Sequence, residues 1–341
     1  MHGNLTVNAP KLLEFPAESL SPRFINLAPT NGPTGVVEEL TEGLQQSQAR
    51  ISPKFFYDAL GSKLFEAITA LDEYYPTRTE ALIFEAMAPM LTSVLQSASL
   101  QAPCLIDLGA GNCAKAAALM PYLRPAQYVP IDISADFLKE AALQLQGSFP
   151  ALDIVGLGLD FSTTLMLPDV VQPLERVFFY PGSSLGNFSP EQALQFLKRI
   201  ADPAQGGAKA LLLGIDLVKD RGVLEAAYDD ALGVTAAFNK NVLRHINRAL
   251  QSDFDARQWR HVALFNTAAS RIEMHLEARC DLAVQWAGHT RRFTEGERIH
   301  TESSYKYTVG SMTALLDNAG FSQVQHWTDT QGWFGVFWAT V

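Results

Sequence analysis

The chain has 341 residues, 48% hydrophobic and 18% charged, enough to bury a large core in two domains or in one with an insertion. Its formal net charge is −10 and no lysine or arginine run exceeds a pair, which argues against nucleic acid or an anionic membrane as partner and leaves a small molecule. Cys104, Cys113 and Cys280 match neither a metal spacing nor a disulfide framework, and the N-terminal segment with Glu14 and Glu18 lacks a long apolar core, so a cytoplasmic protein without leader or membrane span is expected.

Residues 1–50 read as a mobile arm that includes a short helix, Val36 to Gln46. The segment from Ser52 to Thr69 carries Phe55, Phe56, Tyr57 and Phe65 in a helix-compatible pattern, followed by Tyr74 and Tyr75. An aromatic core accounts for these equally well, except that each buried tyrosine hydroxyl needs a partner. A helix is expected from about Thr77, where Thr77 and Glu80 have capping-box spacing, with Pro89 kinking or dividing it.

From there αβ alternation is clear. Strands are expected at Cys104–Leu108, Tyr128–Ile133, Ile154–Phe161, Arg176–Tyr180 and Ala208–Leu217, with helices at Ala114–Tyr122, Ala135–Gln146 and Pro190–Ile200. This predicts a doubly wound, mostly parallel sheet that binds its ligand at the carboxyl ends of the strands. The first strand ends in Asp107 and turns through Gly109-Ala110-Gly111, whose glycines let backbone approach a ligand closely. That spacing also fits a dinucleotide-binding oxidoreductase, but a carboxylate at Asp107 repels a pyrophosphate and suits a cation such as the ammonium of S-adenosylmethionine. Asp132 ends the second strand, where such folds keep an acid for ribose hydroxyls. Asp160 and Phe161 end the third, placed to meet an adenine. Pro181-Gly-Ser-Ser-Leu-Gly-Asn follows the fourth, with Asn187 either a ligand contact or a helix cap.

After Lys219 the pattern changes to two helices, Arg221–Asp230 and Thr235–Leu250, broken at Gly233. Strands then follow at His261–Asn266, Arg271–Ala278, Leu282–Trp286, Thr290–Phe293 and Arg298–Tyr307. Antiparallel strands after a parallel sheet indicate an inserted α+β lobe. Period-two alternation puts His300, Glu302 and Ser304 on one face, and Met274 aligns with Ile272 and Leu276 as a core residue. The seven histidines form no ligand cluster, so no metal is expected. A helix at Ser311–Asn318 and a hairpin of Gln323–Asp329 with Gly335–Thr340 close the chain, an ending of methyltransferase rather than dehydrogenase sheets.

From about Ser52 onward the sequence resembles the histidine-specific, S-adenosylmethionine-dependent N-methyltransferases of the ergothioneine pathway, which trimethylate the α-amine of L-histidine to hercynine. The resemblance rests on FYDALGSKLFEAITALDEYYPTR, DLGAG with Lys115, YVPIDIS, YPGSSLGNFSPEQ, GIDLVKD, AAYDDALGVTAAFNKNVL, RIEMHLEAR and the ESSYK segment at Glu302. It implies a class I, Rossmann-like methyltransferase domain with a terminal β-hairpin over residues 77–217 and 303–341, and a substrate-binding lobe over 51–76 and 218–302. It places Tyr57, Gly109, Lys115, Asp132, Asp160 and Phe161 at S-adenosylmethionine. Asn187 and Tyr228 fall at the substrate's α-amino and carboxylate groups and at the reaction, Tyr74, Glu302 and Ser304 at the imidazole, and Phe65 and Met274 nearby. Departures are Asp107 where glutamate is usual and Ser303 where a small apolar residue is usual. The implied enzyme is a monomer acting on a free amino acid; relatives acting on others, such as tryptophan, mark the alternative substrate.

Overall fold

Eight strands form the central sheet of the computed structural model, which describes residues 20–27, 32–162, 164–173 and 175–341, the side chains of 32–34 aside. In chain order the elements are β1 (Arg23–Asn26), α1 (Gly32–Gln45), a 3-10 turn (Pro53–Phe56), α2 (Ala59–Thr69), α3 (Tyr75–Ser97), β2 (Cys104–Leu108), α4 (Ala114–Leu123), β3 (Gln127–Asp132) and α5 (Ala135–Ser148). There follow β4 (Asp153–Gly158), β5 (Arg176–Tyr180), a 3-10 turn (Ser184–Asn187), α6 (Pro190–Ala201), β6 (Ala208–Asp216), α7 (Arg221–Ala226) and α8 (Val234–Leu250). The lobe strands are β7 (Trp259–Asn266), β8 (Arg271–Ala278), β9 (Leu282–Trp286), β10 (His289–Phe293) and β11 (Arg298–Tyr305), and α9 (Val309–Asn318), β12 (Ser322–Thr328) and β13 (Phe334–Thr340) end the chain.

The sheet order is β1-β4-β3-β2-β5-β6-β13-β12. β1 to β6 run parallel, and β13 returns antiparallel to β6 and pairs with β12 as the expected terminal hairpin. The strand cores are apolar without alternation because helices cover both faces: β2 is buried at every position. One face packs Ile106, Phe178 and Leu213 against Phe196 of α6 and Met312 of α9; the other packs Leu105, Tyr128 and Val177 against Met87 and Leu91 of α3 and Leu119 of α4.

The lobe has its own core, in which Phe56, Phe238, Trp259, Leu276 and Ile299 are almost completely buried. Its sheet has the order β11-β8-β7, with β9 and β10 as a separate antiparallel pair. Leu40 and Leu44 of α1 belong to this core, so the helical part of the expected arm packs with the lobe. Upstream of it, β1 pairs with β4 at the edge of the main sheet; four residues with only Phe24 and Ile25 apolar are too short to show a period. The rest of the expected arm, residues 1–19 and 28–31, lies outside the described residues.

Other boundaries shift for local reasons. Helix α3 starts at Tyr75 rather than near Thr77, because Pro76 suits the first turn, and it runs uninterrupted through Pro89. Pro89 and Glu85, one turn earlier, are both exposed, so the carbonyl that Pro89 leaves unpaired lies on the solvent side of the helix. Helix α7 stops at Ala226 instead of Asp230, because the Asp230 carboxylate accepts from the backbone N–H of Val234 (2.9 Å) and Thr235 (2.7 Å) and so starts α8.

Candidate active site

The glycine turn after β2 is held from below. Gly109 and Ala110 donate their N–H groups to the Ile131 carbonyl of β3 at 2.9 and 3.0 Å, and Gly109 and Gly111 adopt φ of +70° and +52°. A Cβ at Gly111 meets nothing within 4 Å and one at Gly109 reaches only the Phe161 ring at 4.0 Å, so the space above the turn is open to a ligand. Asp132 accepts from the N–H of Gly111 (3.0 Å) and of Ser134 (2.9 Å). Burial raises its pKa against these hydrogen bonds.

Asp160 and Phe161 lie just beyond β4. Asp160 accepts from Ser162 N–H at 3.1 Å and lies 3.4 Å from the Lys54 ammonium; Phe161 stands edge-on to Tyr180 at 5.8 Å. Lys115, at the start of α4, is 2.6 Å from Oε2 of Glu80, whose Oε1 accepts from Gly182 N–H at 2.7 Å. Glu80, read from spacing as a cap, instead reaches inward from α3 with no exposed surface. Asp107 gives the sharpest test of the expected cofactor. Its Oδ2 accepts from the Tyr128 hydroxyl at 2.7 Å, while Oδ1 is buried with no hydrogen-bond partner. Burial lifts this carboxyl to about 7, opposed by Tyr128 and by Lys115. A buried oxygen without a donor beside an open glycine turn fits the ammonium end of S-adenosylmethionine.

Next to this end of the sheet is a cavity whose walls include Tyr57, Phe65, Tyr74, Asn187, Tyr228, Met274, Glu302 and Ser304. All seven expected substrate contacts therefore meet in one place, together with Tyr57, which was expected at the cofactor. Tyr57 also touches the cofactor end, since its carbonyl accepts from the Ser134 hydroxyl at 3.0 Å just after Asp132. The aromatic wall is continuous: Phe65 lies 5.8 Å from Tyr57 and 6.2 Å from Tyr74, and Tyr74 lies 6.3 Å from Tyr228. Burial raises the pKa of Tyr57, Tyr74 and Tyr228 well above the ordinary value, so each keeps its hydroxyl hydrogen.

Strict alternation fails on β11. His300 pairs with His275, but Glu302 pairs with Met274, the next residue on β8, because the register shifts between His300 and Glu302. Glu302 and Ser304 consequently share the cavity face with Met274, while His300 turns to the other face, its ring 5.2 Å from His275 and its Nε2 2.9 Å from the Ser303 hydroxyl. Met274 is both core and wall, 2% exposed. Asn187 ends the 3-10 turn after β5 and is not the helix cap; Ser189 caps α6 through a capping box with Gln192. Glu302 is 9% exposed, and burial lifts it to about 7 against the pull of Lys306.

At the cavity wall, which Asp216 itself helps to form, lies a group of charges that the motif spacings alone did not single out. Asp216, at the end of β6, lies against two ammoniums, Lys219 and Lys306, and accepts from the Tyr75 hydroxyl at 2.7 Å. Burial pushes Asp216 upward, but the two lysines outweigh it and hold the carboxyl below its usual range. Burial lowers Lys219 to about 8. Lys306 donates to Ser304 Oγ at 2.9 Å and Tyr228 Oη at 3.1 Å, and these two hydroxyls are 2.9 Å apart. The signal for this cluster was present in the GIDLVKD and ESSYK segments, since charged residues inside otherwise strand-like runs are costly unless paired.

A family profile described as "Histidine-specific methyltransferase, SAM-dependent" matches residues 36–341. Histidine N-alpha-methyltransferase of Mycolicibacterium smegmatis is 39% identical over 317 residues, 91% of this chain and 96% of that protein. Its namesake from Mycobacterium tuberculosis is 39% identical over 304 residues, 87% of this chain and 92% of the relative. Ergothioneine biosynthesis protein 1 of Neurospora crassa is 29% identical over 281 residues, 80% of this chain and 31% of that longer protein. The extent of these matches leads to one assignment: this chain belongs to the histidine-specific, S-adenosylmethionine-dependent methyltransferases.

Proposed function

We propose that the enzyme transfers three methyl groups from S-adenosylmethionine to the α-amine of L-histidine, giving hercynine for ergothioneine biosynthesis. The observation that carries this reading is the single cavity in which Asn187, Tyr228, Glu302 and Ser304 converge beside the glycine turn. Bound at that turn, the cofactor supplies an electrophilic methyl group with its own leaving group. What the protein must do is align a neutral amine with that methyl and exclude water.

Asn187 and Tyr228 take the amino acid's backbone end: the asparagine carbonyl accepts an amine N–H, while its amide and the Tyr228 hydroxyl donate to the carboxylate. Glu302 and Ser304 take the ring, flanked by Tyr74, Phe65 and Met274. Burial favours the neutral amine over its cation. As methylation removes N–H donors one by one, the carboxylate and ring contacts keep the substrate in register. At the cofactor, Gly109 gives room, Asp107 receives the ammonium, Asp132 faces the ribose, Asp160 and Phe161 the adenine, and Lys115 and Tyr57 border the methionine portion.

The separate lobe core supports the division into a cofactor domain (77–217 and 303–341) and a substrate lobe (51–76 and 218–302), with α1 added to the lobe. The enclosed cavity supports action on a small molecule, and the enzyme is proposed to act as a monomer. No helix among the described residues is long and apolar enough to cross a membrane, and three free cysteines support a cytoplasmic setting. The test is incubation with S-adenosylmethionine and each amino acid in turn, read by mass spectrometry. Trimethylated histidine is expected, and methylation of another amino acid in its place sinks the substrate assignment.

A further inference from the structure

Lys306 has a side chain with no exposed surface, and its three ammonium hydrogens meet three acceptors: Asp216 Oδ2 at 2.7 Å, Ser304 Oγ at 2.9 Å and Tyr228 Oη at 3.1 Å. An ammonium donates and never accepts. Each hydroxyl therefore spends a lone pair on Lys306. The two hydroxyls also lie 2.9 Å from each other, so one of their two hydrogens lies between them. Only one hydrogen is left for a ligand. Asp216 accepts from Lys306, and is itself held by Lys219 and Tyr75.

A substrate carboxylate is an acceptor only. If it takes the Tyr228 hydrogen, Ser304 must donate to Tyr228, and what Ser304 presents to the ring is a lone pair. Glu302, two residues earlier on the same face of β11 and lining the same cavity as Tyr57, Tyr74 and Tyr228, also presents acceptor oxygens when ionised. With Glu302 ionised, a neutral imidazole, which has one N–H and one lone pair, leaves one of these acceptors facing a lone pair. An imidazolium has two N–H groups and satisfies both.

We propose that Lys306 is a positioning residue that fixes Ser304 as an acceptor, so that the enzyme binds histidine with both ring nitrogens protonated. This rests on the histidine reading above and adds to it the protonation state of the ring and its cause. The positive ring also supplies the countercharge that lets the buried Glu302 ionise.

The test uses 2-fluoro-L-histidine, whose ring has nearly the same shape but stays neutral near pH 7 because fluorine withdraws electron density. Both amino acids are titrated calorimetrically into the full-length protein saturated with S-adenosylhomocysteine. The fluoro compound is expected to bind about 10- to 100-fold more weakly than histidine, the range of a lost hydrogen bond to a charged group. In Lys306→Met the Ser304 hydrogen is released, and the ratio between the two ligands is expected to fall by about tenfold. Equal affinity in the unmodified enzyme overturns the proposal without any variant. A ratio that Lys306→Met leaves unchanged, with both ligands weakened alike, also overturns it and gives Lys306 a purely structural role. Failure of both ligands to bind instead overturns the histidine reading on which the proposal stands.

Discussion

At the glycine turn, much of what shapes the ligand space is backbone: the amides of Gly109 and Ala110 pinned to β3, the Gly111 N–H fixing Asp132, and the Gly182 N–H on Glu80. In the cavity the ligand space is walled by side chains drawn from Tyr57 just after the first 3-10 turn, α2, the start of α3, the second 3-10 turn, the end of β6 and the segments from Ala227 to Ser304. The first region needs a bend in the chain and little else. The second needs distant segments held in register, and its polarity rests on the buried charges of Asp216, Lys219 and Lys306. Cofactor binding should therefore survive changes that abolish substrate binding, unless the change, like loss of the buried charge cluster, destabilises the fold as a whole.

The largest expected effect follows from that cluster. Asp216→Ala leaves two buried ammoniums without their carboxylate, and breaking a buried pair in this way costs about 3–5 kcal/mol. Urea denaturation should show this loss together with weaker binding of both ligands; a variant of wild-type stability would break the link between the regions. Next comes a stabilising change. Glu302 has its pKa raised to about 7 in the folded ligand-free protein, so its ionisation opposes folding: the penalty is absent at acid pH and grows as pH rises towards 7. Glu302→Gln should thus stabilise the ligand-free protein at pH 8 by up to about 3 kcal/mol. The gain should shrink towards pH 5, as thermal denaturation at the two pH values will show.

Glu302→Ala is expected to weaken histidine binding by one to two orders of magnitude, roughly 1.4–2.8 kcal/mol. Binding of S-adenosylmethionine should stay nearly unchanged, and equal loss of both ligands in calorimetry would give Glu302 a folding role instead. The smallest effect separates two neighbours. Ser189→Ala removes the cap of α6 and should cost about 1 kcal/mol of stability without changing histidine affinity. Asn187→Ala should do the reverse, and a swap of these outcomes would return Asn187 to a capping role.

The contrast between the regions also explains what could be read without coordinates. The glycine turn, Asp132, Asp160 and Phe161 follow strand ends within a few residues, so hydrophobic runs and breaks suffice to place them. Glu302 and Ser304 were legible as a pair, but the register shift on β11 puts His300 on the other face, and a bulge leaves no mark on period-two counting. Tyr57 and Tyr74 were legible as aromatic, though nothing local separates a cavity wall from a core. Glu80 has the spacing of a cap and the burial of a core residue, because its partners are 35 and 102 residues away. The same distance hid β1, whose four residues gain their strand geometry only from β4.

Gly214 faces Glu80 so closely that a Cβ there would lie 1.9 Å from the Glu80 Oε1, so the carboxylate would have to move aside. One methyl group on β6 would then release Lys115 and the Gly182 amide together. A larger residue at 214 is therefore expected to be better tolerated together with a shorter side chain at position 80.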